Sequence, residues 1–345
     1  MTKIIKINEK NLNGTAELEK LQKAANIIKN GGLVAFPTET VYGLGANALD
    51  RLAVLKIYEA KGRPADNPLI VHLAFPEDIY KYAKVPPNAA VIIERFLPAP
   101  LTLVLKKKDE TLRAASPDLE TVALRVPAGG TARKLIELSG VPIAAPSANL
   151  SGKPSPTDPK DVIDALEGRA DMIICGENCE IGLESTVISF NDDNSLNILR
   201  SGYITREMLA GFDICDNIKE PEKNPPAPGM KYSHYAPGAP LYILSGSDGA
   251  VIGFIKKETE KNEKTGFLCF DEFTGYFKGN KNIIMISMGR KDDQKEQAKN
   301  LFCALNRFDS TGAEIIYSVE PKKSGLGEAI YNRLFKAAGG KIIKV

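Results

Sequence analysis

An excess of charge of either sign is missing from this sequence, in which 45 Lys and Arg stand against 43 Asp and Glu over 345 residues. Composition therefore does not call for nucleic acid or an anionic membrane, and any anion site must be built locally. Also missing is an apolar run near 18 residues, and the first 30 residues mix Lys3 and Lys6 with Glu9, Glu17 and Glu19 without an apolar signal core. The expectation is a cytoplasmic protein that is neither exported nor membrane-spanning. The five cysteines (Cys175, Cys179, Cys215, Cys269 and Cys303) are odd in number and scattered, which suits reduced thiols rather than a disulfide framework. Cys175 and Cys179 have no histidine near them, so metal binding is not their expected role. The phosphate-binding pattern G-x-x-x-x-G-K-[ST] is absent too, so ATP would have to be held in another way.

What is present is an alternation of helix and strand signals. Leu18, Leu21, Ala25 and Ile28 recur at helical spacing after Thr15, read as the cap, and Gly31-Gly32 ends that helix before the apolar strand Leu33–Phe36. Leu52, Leu55 and Tyr58 mark a second helix that runs into Lys61-Gly62-Arg63, and Leu69–Leu73 reads as a buried strand. The pattern continues to a last predicted helix near residues 205–211. Several successive strands lack a helix between them, so residues 1–214 are expected to form an α/β domain with a twisted mixed sheet. Prolines at 221, 225, 226, 228, 237 and 240 make residues 215–240 an extended linker. Residues 241–345 alternate strand and helix again and predict a small Rossmann-like α/β/α domain.

The chemistry-bearing residues concentrate in three places. Between Phe36 and His72 lie Thr38-Glu39-Thr40, Lys61-Gly62-Arg63, Asn67 and one of only two histidines, around glycine and proline punctuation. Arg63 offers a planar fork and Lys61 a mobile point charge from two sides of one glycine, although cations also suit a solvated helix end. Gly43-Leu44-Gly45-Ala46-Asn47-Ala48 matches G-x-G-x-x-A on paper, but six residues separate it from the preceding strand, where a dinucleotide site needs a tight turn. Its glycines are expected to allow close approach of the backbone, not to bind NAD. Ala144–Ser155 places Ser147, Asn149 and Ser155 after a strand, where small residues admit a ligand and the polar groups can bond its oxygens, unless this is a plain Ser- and Pro-rich loop. Gly182–Thr186 and Arg200-Ser201-Gly202 carry hydroxyls and a further cation. The linker segment Pro228–Pro237 holds two tyrosines, a lysine and His234, more than a simple spacer needs.

The motifs Pro37–Leu44, Lys61-Gly62-Arg63-Pro64 and Ser147–Gly152, with the linker Pro228–Pro237, resemble the YrdC-type family in its long, two-domain threonylcarbamoyl-AMP synthase form. That resemblance implies synthesis of L-threonylcarbamoyladenylate and pyrophosphate from L-threonine, bicarbonate or CO2, and ATP with Mg2+, without an organic prosthetic group. A downstream transferase complex would then use the product to modify tRNA next to the anticodon; direct tRNA contact by this chain is left open. By position, Thr40, His72, Arg125, Ala145 and Ser185 resemble the threonine pocket, with Arg125 a natural clamp for a carboxylate. Lys61, Arg63, Asn67, Thr121, Ser147, Asn149, Ser155 and Arg200 resemble the ATP side, over which the linker would bring His234 and Tyr235. Lys61 and Arg63 carry the expected catalytic role, by offsetting phosphate charge. Two alternatives use similar domains: a carbamoyladenylate-forming enzyme, whose paired C-x-x-C motifs are missing here, and an RNA-binding translation-associated factor, which the near-neutral charge does not support.

Overall fold

The computed structural model describes residues 1–215, 235–262 and 264–345. The chain divides into two compact units, the first made of Met1–Ser151, Pro156–Glu180 and Glu184–Tyr232, the second of Gly152–Ser155, Ile181–Leu183 and Ser233–Val345.

The first unit is an α/β structure around one ten-stranded mixed sheet. Its strands are β1 (Lys3–Lys6), β2 (Val34–Phe36), β3 (Gly43–Asn47), β4 (Ile70–His72), β5 (Leu101–Lys106), β6 (Thr121–Arg125), β7 (Ile143–Ala144), β8 (Met172–Cys175), β9 (Thr186–Phe190) and β10 (Leu196–Arg200). They run in the order β1-β8-β2-β3-β7-β4-β6-β5-β9-β10. The helices are α1 (Thr15–Lys29), α2 (Arg51–Lys61), the short α3 (Ile79–Tyr82), α4 (Pro87–Phe96), α5 (Gly130–Ser139) and α6 (Pro159–Leu166). The mixed pairing agrees with the sequence: β4 and β6 are parallel, while β5 and β6 are antiparallel.

Two local expectations are corrected. Thr15 does not cap α1; Gly14 in extended conformation does, without a side-chain bond. Residues 205–211 form turns rather than a helix, because the segment is too short to repay nucleation and Gly211 stands at φ +102°. The glycine-rich run 43–48 is largely strand β3, paired antiparallel with β2 and β7, which removes any dinucleotide turn. A Cβ on Gly45 would stand 2.6 Å from the Phe36 ring and 2.7 Å from Ile143 Cγ2, so this glycine serves strand packing rather than approach to a ligand. Gly45→Ala is expected to cost about 1–3 kcal/mol through overpacking, read as a lower denaturant midpoint.

Register places the polar residues. Asn47, Ile143, His72, Arg125, Thr102, Val187 and Arg200 are successive cross-strand partners from β3 to β10. Arg200 joins this row because an irregularity between Ile198 and Arg200 resets the register of β10. Side chains alternate between faces, so His72 shares a face with Ile70, Arg125 with Ala123, and Thr102 with Val104. Ile70, Val104, Ala123 and Val187 form a small apolar cluster on that face, whereas Val71, Leu103, Leu124 and Ile188 enter the main core on the other.

In the second unit β11 (Leu241–Ser245), β12 (Thr265–Cys269), β13 (Ile283–Ser287), β14 (Ile315–Val319) and β15 (Ile342–Lys344) form a parallel sheet in the order β13-β12-β14-β11-β15. Helices α7 (Asp248–Lys261), α8 (Gln294–Phe308) and α9 (Leu326–Ala337) connect the strands, and a 3-10 segment, Asp271–Phe277, joins β12 to β13. The parallel α/β character is as expected, while β14 and β11 stand in exchanged positions relative to the usual dinucleotide-binding order. Among the described residues no helix is long and apolar enough to cross a membrane.

Candidate active site

The C-terminus of α2 gathers the first cluster. Gly62 takes a left-handed conformation at φ +60°, and its N–H and that of Arg63 donate back to Glu59 O at 3.1 Å and Tyr58 O at 2.9 Å. The reversal sends Lys61 and Arg63 from either side of a glycine that carries no side chain. Lys61 is buried, and its Nζ donates to Ser147 O at 2.5 Å and to Asn149 O. The carbonyl of Lys61 accepts from Ser151 N at 2.9 Å, so this one residue joins α2 to the Ser147–Ser151 loop at both ends. That loop also lies along the start of β3, with Leu44 N donating to Pro146 O at 2.9 Å and Ala148 N to Tyr42 O at 2.8 Å. Burial, and then the neighbouring Arg63 charge, push the Lys61 ammonium well below its ordinary range. Arg63 donates to Pro68 O at 3.1 Å and Asn67 O at 3.4 Å, while the buried Asn67 Nδ2 has no partner among the described residues.

A second cluster surrounds Arg125 at the end of β6. Its Nη2 donates to Glu39 Oε1 at 2.5 Å and to Thr40 Oγ1 at 2.9 Å. Glu39 Oε2 accepts from Gly129 N at 3.1 Å, at the start of α5. Burial alone would raise the Glu39 carboxyl, but the Arg125 charge and these hydrogen bonds outweigh it and hold it below the usual range. His72 neighbours Arg125 in the register; burial, followed by the Arg125 cation, pushes its imidazole down to about 3, so it is neutral near pH 7. His72 Nδ1 and Arg125 Nε are buried and have no partner among the described residues. On the other side of Arg125, Thr102 Oγ1 lies 2.7 Å from Ser185 Oγ, and Arg200 donates to Ser185 O at 2.9 and 3.1 Å.

The structure thus brings Thr40, Lys61, Arg63, Asn67, His72, Arg125, Ala145, Ser147, Asn149, Ser185 and Arg200 onto neighbouring strand ends and loops of the first unit. Ala145 is buried with its N–H committed to Ile70 O at 2.9 Å, so the carbonyl is the backbone group it can offer. Thr121 shares the strand and face of Arg125 but lies four residues away, about 13 Å along the strand. There it lines a cavity of about 520 Å3 with Val104, Ser189 and Asn191. Ser155 and Tyr235 belong to the second unit, where both are buried and the Tyr235 ring packs 5.0 Å from that of Phe302. His234 lies outside the described residues. Glu39 and Thr102 were not singled out from sequence. A carboxylate between two hydroxyls just after an apolar strand, and a threonine inside the apolar run Leu101–Leu105, were the available signals. Among the described residues no group of three or more His, Cys, Asp or Glu could hold a metal ion.

Comparison with known proteins identifies the family. Residues 26–202 match the family model described as "Telomere recombination", and residues 204–339 match "Threonylcarbamoyl-AMP synthase, C-terminal domain". The threonylcarbamoyl-AMP synthase of Pyrococcus abyssi is 43 % identical over 360 residues, with 100 % of both chains covered. The chain belongs to the threonylcarbamoyl-AMP synthase family. A Bacillus subtilis threonylcarbamoyl-AMP synthase is 42 % identical over 334 residues, covering 94 % of each chain. The crystal structure of P. abyssi Sua5 complexed with L-threonine superposes with a TM-score of 0.89 over 100 % of both chains. Family membership makes the chain an enzyme, and the two-domain form expected from its motifs is the form these synthases share with it.

Proposed function

We propose that the chain is a nucleotidyltransferase that makes L-threonylcarbamoyladenylate and pyrophosphate from L-threonine, bicarbonate or CO2, and ATP, for a downstream transferase complex that modifies tRNA. The observation that carries this reading is that, of the buried polar atoms without partners among the described residues, three fall within the Lys61 and Arg125 clusters: Asn67 Nδ2, His72 Nδ1 and Arg125 Nε. Buried polar groups are rarely left unpaired, so these atoms mark where a polar ligand belongs. Two belong to the Arg125 cluster, which suits an amino acid, and the third to the Lys61 and Arg63 cluster, which suits phosphates.

In the reaction, the threonine amine adds to CO2 and loses a proton to form a carbamate. A carbamate oxygen then attacks the α-phosphorus of ATP, and the bond to the bridging oxygen breaks to release pyrophosphate. Arg125 Nε would hold the threonine carboxylate, with its Nη2 already fixed by Glu39 and Thr40. Lys61, Arg63 and Arg200 would offset charge on the phosphates, Lys61 regaining its full ammonium character as anions arrive. Ser147 and Asn149 keep the loop against Lys61 through the carbonyls it bonds. Mg2+ fits as a passenger of the nucleotide, given the absence of a carboxylate cluster among the described residues, and would supply charge neutralisation on the phosphates. Positioning and electrostatics are the whole contribution asked of the protein; no side chain forms a covalent intermediate. Threonine- and bicarbonate-dependent conversion of ATP into an adenylate by the purified chain tests this reading.

A further inference from the structure

Helix α8 of the second unit ends on a residue that its own physics does not favour. The carbonyl end of a helix attracts cations, and Arg307 in the last turn meets that preference, yet the C-cap is the acidic Asp309. The reason lies in two other segments of the same unit. Asp309 Oδ1 accepts from Gly238 N at 2.5 Å and Oδ2 from Lys153 Nζ at 2.8 Å, so one carboxylate joins residues 235–240 to Gly152–Ser155. Gly152 O accepts from Ala236 N at 2.9 Å, a second link between the same two stretches.

Asp309 is the last of three contacts along one stripe of α8. At 3.6 residues per turn, positions 298, 302 and 309 fall within about 40° of one another over about 16 Å of helix. Phe302 packs its ring 5.0 Å from that of Tyr235. At the other end of the stripe Gly182, at φ +78°, comes so close that a Cβ on it would stand 2.6 Å from Ala298 O and 2.4 Å from Lys299 Cα. This face of α8 therefore holds segments from early in the chain. One of them, Gly152–Ser155, continues the Ser147–Ser151 loop, whose Ser147 and Asn149 carbonyls take the Lys61 ammonium and whose Ser151 N donates to Lys61 O.

We propose that Asp309 is a positioning residue for the nucleotide side of the site: by holding Lys153 and Gly238 together it anchors the far end of the loop that seats Lys61. This deepens the reading in which Lys61, Ser147, Asn149 and Ser155 take ATP, and rests on it. A loop without that anchor must be ordered by the nucleotide as it binds, which costs affinity for ATP. The amino-acid cluster has supports of its own, Arg125 being fixed by Glu39 and Thr40 and Glu39 by Gly129 N, so threonine should not feel the loss. Lys153 and Asp309 are both partly exposed, and such a pair contributes little to global stability, so the effect is local.

The test is pyrophosphate release by the full chain, with kcat and KM measured for ATP and for threonine in turn. Asp309→Ala should raise the KM for ATP about tenfold and leave the KM for threonine unchanged. Asp309→Asn keeps an oxygen for Gly238 N but loses the charge opposite Lys153, so the KM for ATP should rise only about threefold. If Asp309→Ala does not fold, Asp309→Asn carries the test. A role confined to folding of the second unit would lower kcat through the fraction of active protein and leave both KM values unmoved, and that result overturns the proposal. An equal rise in both KM values overturns it too. In a wild-type enzyme that requires threonine, a KM for ATP unmoved by Asp309→Ala overturns the assignment of Asp309 alone. Wild-type protein that releases pyrophosphate without threonine overturns the substrate reading and this proposal with it.

Discussion

Replacing Arg125 with alanine is expected to destabilise the chain by about 3–5 kcal/mol and to abolish threonine binding. Glu39 is the reason for the first effect. Its carboxylate is buried with Oε1 on Arg125 and Oε2 on Gly129 N, and without the guanidinium it becomes a buried charge with no counter-ion. A buried pair is weak evidence of net stability, because desolvation of both ions offsets their attraction, but removing one partner exposes the whole penalty. The double variant Glu39→Gln with Arg125→Met removes both charges and should recover most of the loss in denaturant unfolding. Threonine binding should stay absent in the double variant, because Arg125 Nε is gone. Recovery of stability without recovery of binding separates the two tasks of Arg125. Equal loss in the single and double variants would mean that the pair contributes through packing rather than charge.

Acidification should also destabilise the protein, by about 1.4 kcal/mol per pH unit for each proton that the unfolded chain takes up and the folded chain does not. His72 is such a site, with its folded value depressed to about 3 from the ordinary 6.5. Above the ordinary value His72 is neutral in both states and stability does not depend on it. Below it the unfolded chain binds a proton, so stability falls as pH drops and the loss is complete only near the folded value. Glu39, also depressed, adds a loss in the same direction, but only below the ordinary 4.5 of a glutamate. Above the Glu39 window His72 can be read separately: from pH 6.5 to pH 5 the unfolding free energy should fall by about 1.6 kcal/mol, and His72→Asn should flatten that slope. The other histidine in the chain is His234, which His72→Asn leaves intact as an internal control. An unchanged slope in the variant would mean that His72 is protonated in the folded protein.

The elements legible in the sequence were those set by local pattern. Helix α2 was placed correctly from Leu52, Leu55 and Tyr58, but Leu52 and Leu55 are exposed and its buried face is Ala53, Val54, Ile57 and Tyr58; Gly62 marked its end because a left-handed cap favours glycine. Strand β3 was hidden, since Gly43 and Gly45 lower strand propensity, and the reason for Gly45 includes Ile143, 98 positions away. The site followed the same division. Lys61, Arg63 and Asn67 were visible as a polar cluster next to an apolar strand. Glu39 was not assigned a part, because its partner Arg125 is 86 positions away and meets it only once β6 is paired in the sheet. Thr102 was hidden for a similar reason: Ser185, its partner, is 83 positions away. Arg200 reached the row of His72 and Arg125 through an irregularity in β10 that residue types alone do not announce. Pairwise chemistry across a sheet depends on register, and register is a property of the whole fold.

Release of pyrophosphate from ATP by the purified chain, measured with threonine and bicarbonate each present or omitted, tests the central claim most directly. The geometry of the Arg125 and Lys61 clusters predicts release that requires both, with the AMP portion recovered as threonylcarbamoyladenylate. Release that continues unchanged when threonine is omitted would contradict it.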